Sequence, residues 1–178
     1  MRTFPPLPRR LIRTMLVQLI LASLAGLCMP AWADVYDEVE RMVRNGQLER
    51  ASQLSSSHLE KSPQDPQMRL LRSRILDAQG QSDAALDLLQ SLTQDYPELP
   101  EPHNNLAVLY ARQGRMQEAL ESLNKALLAR PDYTTALENL GDLHLNLALQ
   151  AYQRASHAPS PSPTVNRKLQ ALPPLLAR

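Results

Sequence analysis

Chemistry in this chain would have to come from its histidines, its one cysteine, or a serine close to a lysine, and their spacing argues against each. His58, His103, His144 and His157 stand far apart, and none has a second ligand four residues away or an acid in a metal-binding arrangement. Ser122 and Lys125 fit the loose S-x-x-K pattern of penicillin-recognising enzymes, but they fall within a helical segment and no companion motif accompanies them. The glycines beyond residue 33 (Gly46, Gly80, Gly114 and Gly141) stand singly, so no phosphate-cradling loop is present. We expect no catalytic residue, no metal ligand and no cofactor.

The residues that do recur at fixed spacing are structural. Gly46, Gly80 and Gly114 form one column 34 residues apart, Ala51, Ala85 and Ala119 a second, and Pro63, Pro97 and Pro131 a third. A period of this length marks a solenoid of helical hairpins, in which each unit buries its apolar face against its neighbours. The spacing predicts an all-α fold with repeats at 32–65, 66–99 and 100–133 and a shortened fourth unit at 134–157. Glycine is expected just past the first helix of each pair, where a left-handed cap is easiest without a side chain. Proline is expected to stop the second helix.

The first 33 residues differ from the rest. Arg2, Arg9, Arg10 and Arg13 precede a nearly apolar run from Met15 to Met29, which ends in Pro30, Ala31, Trp32 and Ala33. This is the composition of a secretory signal with a small-x-small cleavage site, so cleavage is expected after Ala33 and the mature chain at Asp34. An uncleaved anchor is the alternative, although the run is shorter than the roughly 20 apolar residues a spanning helix needs. Leu27 before Cys28 departs from a lipidation site, and the residues after Arg9-Arg10 fit twin-arginine export poorly. Cleavage would remove Cys28, leaving no thiol for a disulfide or thiolate metal site. It would also remove four of 19 basic residues and none of 18 acids, leaving 15 against 18 and a net charge of −3. Such a chain has no electrostatic basis for binding nucleic acid.

In residues 100–133, Leu106, Ala107, Tyr110, Gly114, Ala119, Leu120, Leu123, Ala126 and Pro131 stand at the offsets of the tetratricopeptide repeat, and the chain resembles that family. The resemblance implies a short right-handed solenoid of antiparallel helix pairs. Residues 66–99 match less well, with Arg69, Arg72 and Ser73 at sites usually apolar or small. Residues 32–65 match least, with Ser55 and His58 at apolar sites, and are expected to cap the stack with Asp34 as N-cap and Asp37 completing a weak capping box. In the fourth unit the second-helix pattern Ala148, Leu149, Tyr152, Ala155 arrives five residues early. With no Gly or Pro at a turn, and with Thr135 and Glu138 spaced as a capping box, one longer C-terminal capping helix of about six turns is expected. Residues 158–178 begin with alternating proline and serine and read as a disordered tail. Its Leu169, Leu172, Leu175 and Leu176 could touch a partner or a membrane.

By the same resemblance, the first helix of each pair lines a concave groove. The candidate binding residues are Arg74, Asn104, Asn105, Arg112, Glu138, Asn139 and Asp142, with Leu70 and Asp77 beside them. Asn105 and Asn139 share one position, one repeat apart. An amide both donates and accepts, so this pair could hold the backbone of an extended peptide; the open alternative is a solvated polar face. Tyr36, Glu40, Leu70 and Arg74 occupy the positions where the carboxylate-clamp subgroup carries lysine and asparagine, so that mode of binding is not expected. These readings point to a non-enzymatic protein- or peptide-binding adaptor or scaffold in the periplasm or cell envelope. The alternative is an accessory subunit tethered through its tail to an envelope assembly, secretion or peptidoglycan-processing complex. Membrane contact would come only from an uncleaved signal or a weak tail contact, and two copies could pair as a homodimer.

Overall fold

The computed structural model describes residues 31–160 and 162–172. Among these residues all regular structure is helical: α1 (Ala31–Arg44), α2 (Leu48–Lys61), α3 (Pro66–Ala78), α4 (Ser82–Asp95), α5 (Pro100–Arg112), α6 (Met116–Ala129), α7 (Thr134–Ser156) and α8 (Pro163–Ala171). Helices of 13 or 14 residues are marginal alone in water, so α1 to α6 persist only by packing on one another. Each packs against the next along the chain, which gives a solenoid of antiparallel pairs.

The glycine column makes the turns. Gly46, Gly80 and Gly114 adopt φ of 70°, 77° and 75°, a left-handed conformation that L side chains rarely take. The amides just after them, of Gln47, Gln81 and Arg115, reach back 2.9 Å to the carbonyls of Met42, Leu76 and Tyr110, closing the same helix-ending motif three times. At the other end of each hairpin, the amides of Ser62, Tyr96 and Arg130 close the last turn, and the proline that follows cannot continue it.

Two apolar clusters form the core. The larger holds Ala107 against Ala119 and Ala126, all at most 2% exposed, with Leu89, Leu106 and Leu123 around them. The smaller joins Val39, Ala51, Met68, Leu71 and Ile75 of α1 to α3. The polar residues that weaken the resemblance in the first two units form a satisfied layer among α2, α3 and α4. The buried Arg69 guanidinium donates to Asp95 at 2.7 Å, to Ser91 at 2.9 Å and to Gln64 at 3.1 Å. Arg72 donates to the Ser52 carbonyl at 3.2 Å and to the Ser52 hydroxyl. Ser55 and Ser73, both buried, return their hydroxyls to the carbonyls of Ser52 and Leu70.

The fourth unit is one unbroken helix of 23 residues, as the missing turn requires. Its cap differs from expectation. The helix opens at Thr134 with Tyr133 at the cap and no side-chain cap bond, so Thr135 is already inside the first turn rather than at the cap position the expected box needs. Likewise α1 runs from Ala31, which places Asp34 in its first turn rather than at its cap. Residues 158–178 also depart from the expected disorder, because α8 folds within them. Ser162 accepts from the amide of Thr164, Pro163 supplies a pre-set first turn, and Val165 is buried while Lys168 lies over Tyr152 of α7. Residues 1–30 of the signal segment, Cys28 among them, and Leu175 and Leu176 lie outside the described residues, as does the side chain of Trp32.

Candidate peptide-binding groove

The first helices α3, α5 and α7 present polar residues, and α1 presents Val43, to two adjoining concavities that share Val108 and Arg112. One, of about 260 Å³, is lined by Val43, Arg74, Asp77, Asn105, Val108 and Arg112, among others. The next, of about 300 Å³, is lined by Val108, Arg112, Met116, Asn139, Asp142 and Asn146, among others. Arg74, Asn105, Arg112, Asn139 and Asp142 are therefore brought to one surface.

Two expected residues fall elsewhere. Asn104 is 4% exposed and lies beneath the groove rather than in it. Glu138 is exposed but lines neither concavity. Leu70 packs against the larger apolar cluster. Val108 and Asn146 line the groove without having been nominated, although Val108 falls between Arg74 and Asp142 in one column and Asn146 follows Arg112 in another.

The asparagines are linked in an order their spacing did not suggest. Asn139 Nδ2 donates to Asn104 Oδ1 at 2.8 Å, and Asn104 Nδ2 donates to Asn105 Oδ1 at 3.4 Å. Asn139 thus meets the residue beside its repeat equivalent, and the buried amide of Asn104 holds both neighbours in place. This chain uses the acceptor of Asn105 and one donor of Asn139. The Asn105 amide N–H groups are left to donate to a ligand carbonyl, and the Asn139 oxygen is left to accept from a ligand N–H.

Charge in the groove is matched between repeats. Arg112 reaches Asp77 at 2.6 Å, and Arg74 reaches Glu40 at 3.4 Å, each pairing a guanidinium with an acid of the preceding first helix. Asn146 ties itself to the Asp142 carbonyl at 2.9 Å. The surface is polar, has apolar seats at Val43, Val108 and Met116, and pairs its arginines with acids of the preceding repeat.

A wider concavity of about 800 Å³ lies between α4 and α6 and includes His103, Tyr110, Ser122 and Lys125 in its lining. Burial pushes the His103 imidazole below its ordinary value, the Pro97 carbonyl 3.2 Å away opposes that shift, and Lys125 adds to it. His103 therefore faces a carbonyl rather than the Ser122 hydroxyl. Among the described residues no cluster of three His, Cys, Asp or Glu side chains is placed to hold a metal ion. No helix among them is long and apolar enough to cross a membrane.

Residues 36–100 and residues 76–141 each match a family model described as tetratricopeptide repeat. Among solved structures, the chain is similar to the Sgt2 TPR domain from Aspergillus fumigatus, at 16% identity and a TM-score of 0.63, over 75% of this chain and 89% of that one. It is also similar to a chain in a structure of Naa15/Naa10 bound to HypK-THB, at 18% identity and a TM-score of 0.59, over 80% of this chain but only 20% of the other. Likeness at such identity speaks to the fold alone. No curated protein matches the chain.

Proposed function

Because the chain belongs to the tetratricopeptide repeat family, we propose that it is a protein- or peptide-binding adaptor of the periplasm or cell envelope that catalyses no reaction. The observation that carries this reading is the Asn104-braced pair of Asn105 and Asn139. A donor and an acceptor stand one repeat apart on the polar groove, with apolar seats beside them. An extended segment offers an alternating carbonyl and N–H to such a pair, and its side chains can enter the seats at Val108 and Met116.

Export is supported by the leading segment alone, with its four arginines, apolar run and small-x-small ending. N-terminal sequencing of the exported protein is expected to begin at Asp34; a start at Met1 would refute cleavage.

Affinity capture with the tagged chain, compared with an Asn105→Ala, Asn139→Ala double variant, tests the groove. A partner lost with the double variant supports groove binding. If the partner stays with that variant and is lost on removing residues 173–178, the tethering-tail reading replaces it. Turnover of a cell-wall or peptide substrate by the purified chain would overturn the adaptor reading altogether.

A further inference from the structure

The two concavities of the groove are one pocket built twice. Leu89, Asn105 and Leu109 of the first recur 34 residues on as Leu123, Asn139 and Leu143 of the second, so each is lined by two leucines and an amide. The rims differ. Ser73, Arg74 and Asp77 give way to Ala107, Val108 and Ala111, and Met116 is added, which makes the second concavity the more apolar seat.

The described residues end level with that seat. After residues 157–162 the chain turns back along α7, where Lys168 Nζ of α8 stands 5.0 Å from the centre of the Tyr152 ring. Four residues further, about 6 Å at 1.5 Å per residue, is Leu172, level with Ala148 and within one turn of Asn146, which lines the seat. Leu172 is half-buried, and Pro173, Pro174, Leu175, Leu176, Ala177 and Arg178 follow it in sequence.

We propose, on the basis of the groove reading, that the tail of the chain itself occupies the second concavity, with Leu175 entering it beside Val108, Met116 and Leu143. Consecutive prolines favour a polyproline II segment, in which residues three apart project on the same side about 9 Å from one another. Leu172 and Leu175 flank Pro173-Pro174 at that spacing. With Leu172 held against α7, one such turn carries Leu175 across by about 8–10 Å, the distance between packed helices. The first concavity lies one repeat further from α8 and is rimmed by Arg74, Asp77 and Arg112, so the second is the one a leucine of this tail both reaches and suits. A partner laid along the groove must displace the tail. The chain thereby controls access to its own binding surface.

Disulfide trapping in a Cys28→Ser background tests the contact. Met116→Cys with Leu175→Cys is expected to close a bond within one chain under mild oxidation, whereas Glu138→Cys with Leu175→Cys, whose first thiol stands on α7 outside both concavities, is not. A fluorescent peptide of residues 171–178 gives a second readout. It should bind the Leu175→Ser chain at least about tenfold more tightly than the parent chain, because a tethered segment competes at high effective concentration. No preference between the two cysteine pairs, a bond formed between two chains, or a peptide bound equally by both proteins or by neither would each overturn tail occupancy. Partner capture separates it from the groove reading. If the Asn105→Ala, Asn139→Ala variant loses its partner while Leu175→Ser captures no more than the parent, the groove binds and tail occupancy falls. If trapping succeeds and the double variant keeps its partner, the tail holds the seat and the partner binds elsewhere.

Discussion

The phenol of Tyr36 in α1 donates across 2.5 Å to Oδ2 of Asp65, the residue that caps α3. The same oxygen lies 2.6 Å from His58 Nε2 of α2, while Oδ1 accepts from the amides of Gln67 at 3.0 Å and Met68 at 3.2 Å. One carboxylate thus ties both helices of the least regular unit to the start of the next. The positions that look degenerate in sequence are where this tie is made.

The tie should give stability a pH dependence on both sides of neutrality. Burial, reinforced by Asp65, pushes the Tyr36 phenol up to about 12, so the folded state favours its neutral form. That contribution is complete below the ordinary phenol value of about 10 and is lost as pH rises towards 12. Burial opposes ionisation of Asp65, yet the donors from Tyr36, Met68 and His58 outweigh it and hold the carboxyl below its usual range. That contribution is present above the ordinary carboxylate value and is lost as pH falls through the lowered one. Thermal melts across pH are expected to show both declines. Tyr36→Phe should reduce the alkaline one, with the half-buried Tyr133 phenol, also pushed up, supplying the remainder, and an unchanged alkaline limb would contradict the assignment.

Asp65→Ala should be among the costlier single changes in the first two units. It deletes a cap, worth about 0.5–2 kcal/mol, and strands the part-buried Tyr36 hydroxyl, at about 1–3 kcal/mol for a lost partner. We expect a loss of roughly 2–4 kcal/mol by denaturant titration. Asp65→Asn keeps an acceptor for the amides and should lose less.

Two glycine-to-alanine changes should have opposite signs. Gly114 sits at φ 75°, where a Cβ is strained even though the space around it is open, so Gly114→Ala should cost about 1–2 kcal/mol. Gly141 lies inside α7 with the same open space and no positive φ, so Gly141→Ala should stabilise by roughly 0.5–1 kcal/mol. Melting temperatures of the two variants moving in the same direction would contradict this.

Ala119 has no exposed surface and shares with Ala107 the apolar cluster between α5 and α6. Ala119→Leu should overpack that contact and cost about 1–3 kcal/mol. An unchanged melting temperature would mean that the hairpin is not registered as described.

What could be read from sequence follows from what repeats. Gly114, Ala107, Ala119 and Pro131 stand in periodic columns because every hairpin needs the same turn and the same close contact, and the unbroken α7 followed from a turn that was missing. Contacts made once are different. Tyr36 and Asp65 are 29 residues apart, and nothing periodic relates a phenol to a helix cap, so the tie was invisible. The asparagine chain carries no periodic mark either, because spacing relates Asn105 to Asn139 while the buried Asn104 amide lies between them. The helix at Pro163–Ala171 was hidden because Ser162-Pro163 serves equally as linker and as helix start, and only the burial of Val165 against its neighbours decides between them.

Arg112 offers a way to separate binding from folding. Its side chain is 62% exposed, pairs with Asp77 across 2.6 Å, and belongs to both concavities of the groove. An exposed pair of this kind contributes at most about 1 kcal/mol, so Arg112→Ala should leave the melting temperature nearly unchanged. If an extended segment lies along the groove it must pass this residue, and partner capture by Arg112→Ala should fall while Glu138→Ala, outside both concavities, captures as before. Equal capture by the two variants at matched stability would remove the partner from this surface.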